Sequence, residues 1–321
     1  MVKNLRRLIE QVAKEKNLPE WIVERSLKNA IALAIKKDRR IKTASLEIEL
    51  GDDSIKVTTR NGEPLDISPE DINRIAAYAA REEFLKELEK AEEERGFLEF
   101  LQLENKLVVG IVRKITPEGD ALVDLGKVSA ILPKREQIKR ESLKQGSGIK
   151  ALLLSIKKQR GKHEITLSRT HPQFLKRLIE QEVPEVASGE VQIKALAREP
   201  GERAKLAVLS KDGKLDPVGA VLGLRGSRIN TISEELCGER IDVFSWSDEP
   251  EELIRKSLQP AQVLKLRLNS KERKAEIAVD RNKLSLAIGK GGVNVKLANK
   301  ITGWHLDIMS LEDFEKLVKL K

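Results

Sequence analysis

Two short glycine motifs, repeated at a fixed distance, constrain the fold of this chain more than any other feature of its sequence. Gly223-Leu224-Arg225-Gly226 and Gly289-Lys290-Gly291-Gly292 are the two places where glycines stand three residues apart. Each motif follows an apolar stretch, opens a segment of helical periodicity and leads to a strand-like close, residues 238–243 and 303–308. The motifs lie 66 residues apart and the closing glycines 65 apart, so the pattern indicates an internal duplication.

A pair of strand-like runs precedes each motif, at residues 191–196 and 205–209 and again at 263–268 and 275–279. The repeated unit is therefore strand, strand, helix, glycine turn, helix, strand. A turn without bulky side chains lets a nucleic-acid backbone approach closely, and the free N–H groups at the start of the next helix favour a phosphate. The KH domain has this arrangement, with a Gly-x-x-Gly loop that clamps about four nucleotides.

Both turns carry positive charge without any aromatic side chain. Arg225 and Lys290 lie inside the turns, and Arg228 follows the first. Each motif could instead be only a tight connection between two helices. The duplication and the charges favour RNA binding, and the predicted RNA-binding residues are Gly223, Leu224, Arg225, Gly226, Ser227, Arg228, Gly289, Lys290, Gly291 and Gly292.

In residues 105–170 the apolar residues follow the spacing of strands instead of that of helices. This segment has a formal net charge of +9, equal to that of the whole chain. A net positive charge of this size on a short segment indicates a polyanionic partner, most simply nucleic acid. Short strand-like runs separated by Gly or Pro predict a five-stranded OB-type barrel. The five runs are 107–115, 121–125, 128–132, 149–156 and 164–167.

The densest basic cluster of the chain lies between the last two of these runs. We predict RNA contacts there for Lys157, Lys158, Arg160 and Lys162. Lysine-rich hairpin tips also block edge pairing and aid solubility, which is the alternative interpretation. Because residues 105–170 contain no Phe, Tyr or Trp, contacts should be made mostly to phosphates, with weak sequence preference and steep salt dependence.

The first 104 residues carry a formal net charge of −3. Apolar residues at helical spacing predict two helices before residue 38, and alternation between 46 and 58 predicts a two-stranded hairpin. Ser68-Pro69-Glu70-Asp71 predicts the start of a longer helix. Nothing in this segment resembles a catalytic site, so a domain that docks on another protein is the simplest interpretation.

Several function classes are disfavoured. The single Cys237 excludes an intramolecular disulfide and a Cys-based zinc site, and the absence of a long apolar run or signal-peptide core predicts a cytoplasmic protein. No phosphate-binding Gly-x-x-x-x-Gly-Lys-Ser/Thr motif occurs, and the three histidines lack metal-ligand spacing. Asp120 and Asp124 could be imagined as a nuclease metal pair, but no convergent acid-base set accompanies them. We therefore predict no catalytic residue, metal or cofactor.

Several stretches resemble the NusA family of bacterial transcription elongation and termination factors. The resemblance covers essentially the whole chain, and the most specific strings are residues 171–175, 182–185, 197–205, 216–220 and 238–243. It implies a multidomain α+β fold: residues 1–104 as a helical and two-stranded domain that binds RNA polymerase core, 105–170 as an S1-type OB-fold barrel, and 171–248 and 249–321 as two tandem type II KH domains.

The resemblance also implies a function. It describes a monomeric, non-enzymatic factor without membrane contact that binds RNA polymerase and nascent single-stranded RNA and modulates pausing, termination and antitermination. Other elongation or antitermination factors would be further partners. Two alternatives remain open: a translation or ribosome-assembly protein, which could share every module, and an RNA-processing enzyme, which would require a catalytic centre.

Overall fold

The computed structural model describes residues 5–16, 18–38, 46–51, 55–59, 64, 84–86, 88, 97, 99–159 and 162–319. The chain divides into two compact units, Met1–Gln102 and Leu103–Lys321. None of the helices in the described ranges combines the length and the apolar character needed to cross a membrane.

The described part of the first unit includes two helices and a hairpin. Helices α1 (Leu5–Glu15) and α2 (Glu20–Asp38) pack on the antiparallel strands β1 (Leu46–Leu50) and β2 (Ile55–Thr59). Their shared core includes Val23, Ala30, Ile31 and Ile35 of α2, with Ile48 and Val57 of the hairpin. The long helix predicted from Ser68 begins outside the described residues.

The second unit begins with a closed five-stranded barrel in the order β3-β4-β5-β7-β6. Alternating buried residues, such as Val108 and Val112 in β3, point into its core while their neighbours face outward. The strands are β3 (Leu107–Ile115), β4 (Ala121–Asp124), β5 (Ser129–Leu132), β6 (Gly148–Gln159) and β7 (Lys162–Ser168).

The first repeat begins with α3 (Pro172–Glu182), where His171 accepts a hydrogen bond from the Gln173 N–H and Pro172 takes the first helical position. It continues through a short α4 (Pro184–Ala187) and a three-stranded sheet whose central strand pairs antiparallel on one side and parallel on the other. The remaining elements are β8 (Val191–Glu199), β9 (Arg203–Ser210), α5 (Pro217–Leu222), α6 (Ser227–Glu235) and β10 (Arg240–Ser245).

The second repeat has the same order from its first strand to its third and the same sheet topology, but it opens with one helix and ends with an additional one. Its elements are α7 (Pro250–Ser257), β11 (Val263–Asn269), β12 (Lys274–Val279), α8 (Leu284–Ile288), α9 (Val293–Thr302), β13 (His305–Ser310) and α10 (Leu311–Lys319). The barrel and the two repeats confirm the predicted multidomain α+β fold with tandem KH units.

The barrel and the first repeat share one hydrophobic core. Ile138 and Leu152 of the barrel segment belong to the same buried cluster as Phe174 and Leu178 of α3. Arg169 adds polar contacts at this junction: its Nε donates to Glu141 at 2.7 Å and its Nη1 donates to Glu235 of α6 at 2.8 Å. Its side chain is only 6 % exposed, so the pair with Glu141 is shielded from solvent. The barrel is therefore fixed to the first repeat through packing and ion pairs.

Helix α9 joins the two repeats because it packs between two sheets. One of its faces, with Ala298 and Val295, belongs to the core of its own repeat. The opposite face presents Leu297 and Ile301, which pack with Ala197, Ala207 and Phe244 on the sheet of the first repeat. Burial of these apolar side chains stabilises the contact between the repeats.

The duplicated helices differ on this outward face. Val293, Leu297 and Ile301 of α9 occupy the positions that Ser227, Thr231 and Glu235 occupy 66 residues earlier in α6. Thr231 is exposed, and Glu235 pairs with Arg169 rather than with another sheet. The repeats therefore share a fold, but only the second has an apolar helix face for a neighbouring domain.

Charged residues are also buried in the first repeat. The guanidinium of Arg198 in β8 and the carboxylate of Glu239 are both fully buried and form two-point hydrogen bonds of 2.8–3.0 Å. Glu239 also accepts a hydrogen bond from the Gly201 N–H at the tip of the β8–β9 hairpin. Because every donor and acceptor meets a partner, this pair fixes the hairpin against the start of β10.

Candidate nucleic-acid interface

The first glycine turn connects α5 to α6. Helix α5 begins after Asp216, whose carboxylate accepts a hydrogen bond from the Val218 N–H, and it ends where Gly223 adopts φ +74°. Arg225 and Gly226 then lie in the left-handed region, with φ of +52° and +79°. Leu224 is 85 % exposed and Arg225 is also exposed. The turn therefore projects an apolar and a cationic side chain at the beginning of α6.

The second turn repeats this backbone between α8 and α9. Gly289, Gly291 and Gly292 have φ of +79°, +60° and +73°, matching the positions of Gly223, Arg225 and Gly226. The cation is displaced by one position, because Lys290 corresponds to Leu224 and the left-handed position is glycine. Lys290 and Gly291 are exposed. The two turns thus share one backbone conformation but place their charges differently.

The first glycine of each turn is required by close packing as well as by its positive φ. A Cβ on Gly223 would lie 2.7 Å from Cγ of Arg228, and one on Gly289 would lie 2.8 Å from Cβ and 2.9 Å from the backbone nitrogen of Asn294. Contacts this short are repulsive. Both turns are therefore compact because the second helix begins directly against the end of the first.

Arg228 and Asn294 provide that contact, each five residues after the first glycine. Arg228 donates to the carbonyl of Ala220 at 2.7 Å and to Glu185 at 2.9 Å, and Asn294 donates to the carbonyl of Ala287 at 2.8 Å. Both side chains connect the second helix to the last turn of the first, where carbonyls lack helical partners. The structure gives Arg228, predicted as an RNA contact, partners within its own domain. Asn294 was missed by the sequence reasoning, although its position in the duplication identifies it.

The basic cluster of the barrel is described only in part. Lys157 is exposed on β6, and the backbones of Lys158 and Lys162 lie in the paired strands β6 and β7, opposite His163 and Gln159. Arg160 lies outside the described residues. The strand pairing nevertheless brings three of the four predicted basic positions to one end of the β6–β7 hairpin.

The acidic residues considered for a nuclease site have structural partners. Asp124 accepts hydrogen bonds from Arg113 and from the Gly126 N–H, and the hydrogen bond from Arg113 is the main cause of the lowered pKa of Asp124. Asp120 accepts from the Lys134 N–H at 2.8 Å. Across the described ranges, no group of three His, Cys, Asp or Glu side chains is placed to hold a metal ion. Both aspartates are thus engaged in turns of the barrel.

Comparisons with known proteins agree with this architecture. Residues 169–246 match the NusA-like first KH domain and residues 250–316 match the NusA-like second KH domain. These two ranges contain both glycine turns together with the sheets behind them.

Relatives are similar over a longer region. The transcription termination/antitermination protein NusA of Halalkalibacterium halodurans is 41% identical over 253 residues, which cover 79% of this chain and 66% of that protein. The proteins of the same name from Thermus thermophilus and Bacillus subtilis are 39% and 40% identical, with coverage of 79% of this chain and 66% and 68% of their own lengths. The match thus spans about two thirds of these relatives. On this similarity and on its two KH domains, the chain belongs to the NusA family of transcription termination/antitermination proteins.

Proposed function

We propose that this protein is a non-enzymatic RNA-binding transcription factor. It holds nascent single-stranded RNA on the two glycine turns and the barrel, and it contacts RNA polymerase through its first unit. In this way it modulates pausing, termination and antitermination. Its family membership supports the role in transcription, and the site residues support the binding of RNA.

The observation that carries this proposal is the repetition of one exposed backbone conformation in two places. Each turn exposes its backbone directly before the start of a helix and carries a cation within the turn, Arg225 or Lys290. Phosphates bind well at such helix starts, where the N–H groups and the helix dipole both favour negative charge. Two copies in one compact unit can hold consecutive segments of one RNA strand, so their affinities reinforce each other.

Charge reversal in the turns tests the RNA-binding residues. Leu224→Asp with Arg225→Asp, and Lys290→Asp with Gly291→Asp, place carboxylates where phosphates would lie. We expect each pair to weaken binding of single-stranded RNA by at least about tenfold, because phosphate contacts dominate affinity. Lys211→Asp with Lys214→Asp, on an exposed loop of the first repeat, is the matched control. Unchanged RNA affinity in both turn variants would contradict the assignment.

The first unit provides the proposed polymerase contact. On α2, Trp21 is 60 % exposed and stacks beneath Arg25, whose guanidinium carbon lies 5.3 Å from the ring centre. Exposed Trp and Arg side chains are frequent in the energetic centres of protein interfaces. We expect the full chain to bind core RNA polymerase, a chain lacking residues 1–102 to lose that binding, and Trp21→Ala to weaken it. Binding to ribosomal subunits but not to polymerase would favour the ribosome-assembly alternative.

A further inference from the structure

Three parts of the second unit meet at the tip of the β8–β9 hairpin. Gly201 at this tip has φ +75°, and a Cβ there would lie 2.7 Å from Cγ2 of Ile138 in the barrel segment. The hairpin therefore presses directly against the barrel. On its other side, Glu199 of the hairpin receives a hydrogen bond of 2.9 Å from Lys296 of α9 in the second repeat. The barrel and both repeats thus contribute residues to one small region.

Positive charge exceeds negative charge at this junction. Lys139 of the barrel segment and Lys300 of α9 lie close enough to act on Glu199 electrostatically. The hydrogen bond from Lys296, together with the charges of these two lysines, lowers the pKa of the Glu199 carboxyl. One carboxylate therefore faces three ammonium groups. Lys139 and Lys300 are both exposed, and neither has an ion-pair or hydrogen-bond partner among the residues that the structure describes.

The lysines of α9 also lie in line with the second glycine turn. Gly292, Lys296 and Lys300 follow at intervals of four residues, which is about 6 Å along a helix for each step. Lys296 and Lys300 occupy the exposed edge of α9 between its two packed faces. A row of cations therefore leads from the glycine turn along the helix to Lys139 of the barrel.

A purely structural role explains only part of this arrangement. The exposed pair between Lys296 and Glu199 can contribute at most a little to the docking of α9. It leaves Lys139 and Lys300 without an ion-pair or hydrogen-bond partner among the described residues. An anion at this position would be attracted by both ammonium groups. Because the excess charge lies between two proposed RNA-binding elements, the phosphates of a strand that passes from one to the other fit best.

We propose that Lys139, Lys296 and Lys300 form a phosphate-binding bridge that carries single-stranded RNA from the second glycine turn to the barrel. This inference rests on the proposed function, since it adds a contact along the same strand. Glu199 competes with the RNA phosphates for Lys296 and so limits the affinity of the bridge. The bridge should matter only for an RNA long enough to reach both the repeats and the barrel.

RNA length therefore provides the test. One single-stranded RNA of about eight nucleotides, four for each glycine turn, is compared with one of about twenty. Lys139→Ala with Lys300→Ala removes two cations but leaves the Lys296–Glu199 pair and the packing of α9 intact. We expect about tenfold weaker binding of the long RNA, little change for the short RNA, and a salt slope reduced by about 1.4 for two lost phosphate contacts.

Two further variants complete the design. Lys211→Ala with Lys214→Ala removes the same charge at the other end of the hairpin and should leave the long RNA bound as before. Glu199→Gln removes the competing carboxylate and should tighten binding of the long RNA severalfold. Equal losses for both RNAs, or no loss for the long one, would overturn the bridge. Failure of the unmodified protein to bind either RNA would overturn the proposed function itself.

Discussion

At the scale of single residues, Lys205 is a lysine that the fold buries, although lysine side chains usually lie at the surface. This lysine of β9 is completely buried between the repeats, where its Nζ donates to Asp242 at 3.1 Å and to the carbonyl of Gln259 at 3.4 Å. Burial lowers its pKa to about 8, and the Asp242 carboxylate offsets only part of this effect. Arg203 and Arg240 lie nearby and add to the lowering.

The lowered pKa predicts a stability that increases with pH. An unfolded chain keeps the Lys205 proton up to pH about 10.4, whereas the folded protein releases it near pH 8. Between these values the unfolded state binds more protons, so the free energy of unfolding should rise by up to about 3 kcal/mol. Urea unfolding at a series of pH values measures this rise.

Lys205→Met is the control for that experiment because other lysines also titrate at alkaline pH. The variant keeps the length of the side chain and leaves Asp242 paired with Arg203 and Arg240. Its pH dependence between 8 and 10.4 should be flatter than that of the unmodified protein. The same slope in both proteins would show that Lys205 has an ordinary pKa when folded.

Single positions were the hardest to interpret from the sequence. Arg198 and Lys205 lie in the charged stretch 197–205, yet both are buried. Their partners Glu239 and Asp242 are 41 and 37 residues away, so no local pattern reveals the pairing. Arg228 has the charge of an RNA contact, but whether it faces solvent depends on Glu185 and Ala220. Charge alone therefore does not reveal whether a side chain is buried, paired within the fold or available to RNA.

At the scale of elements, the turns need glycine for two separate reasons, a positive φ and a lack of room for a Cβ atom. Substitutions can distinguish these two reasons. Gly289 and Gly291 both have positive φ, but a Cβ on Gly289 meets the backbone of Asn294, whereas one on Gly291 meets open space. Gly291→Ala should therefore cost about 1 kcal/mol of stability from the left-handed backbone alone. Gly289→Ala should cost about 2–4 kcal/mol because steric overlap adds to that strain.

Denaturant titration of the two alanine variants gives these values directly. The difference between them isolates the close approach of α8 and α9, since the conformational effect is common to both. Equal stabilities would mean that the start of α9 can move away from Gly289 without cost, and the turn would then be looser than its contacts indicate.

Most elements were predictable because their periodicity is local. The five barrel strands and the repeated order of strands and helices follow from alternation, helical spacing and turn residues. What the sequence did not reveal was the conformation inside the turns, where a short 3₁₀ segment precedes each second helix. That detail depends on the contacts of Arg228 and Asn294 with the preceding helix, which become visible only after folding.

At the scale of the whole second unit, α9 couples the two repeats through its apolar face. Leu297→Asp would place a carboxylate against the sheet of the first repeat, a burial that costs several kcal/mol without a partner. We expect two separate thermal transitions in calorimetry in place of one, and weaker binding of RNAs that reach both turns. Thr231→Asp at the matching exposed position of α6 should change neither property. Identical melting of both variants would contradict the coupling role of α9.

This coupling could have been found in the sequence by aligning the two repeats. Where α6 has Ser227, Thr231 and Glu235, α9 has Val293, Leu297 and Ile301. Apolar residues that appear in only one copy of a duplicated helix, at positions facing away from its own core, indicate a contact that the other copy lacks. The partner sheet could not have been deduced in the same way, because its small residues Ala197 and Ala207 resemble those of any core strand.

The unequal faces of α6 and α9 give the tandem array a direction. The first repeat offers a sheet that accepts a neighbour, and the second supplies the helix that fits it, so the pair assembles in only one order. A gene in which the two repeats were exchanged would encode the same domains, but the repeat in second place would then carry the polar helix α6, and the sheet before it would lack Ala197, Ala207 and Phe244. Such a chain would lack the apolar contact between its repeats, although every domain in it could still fold.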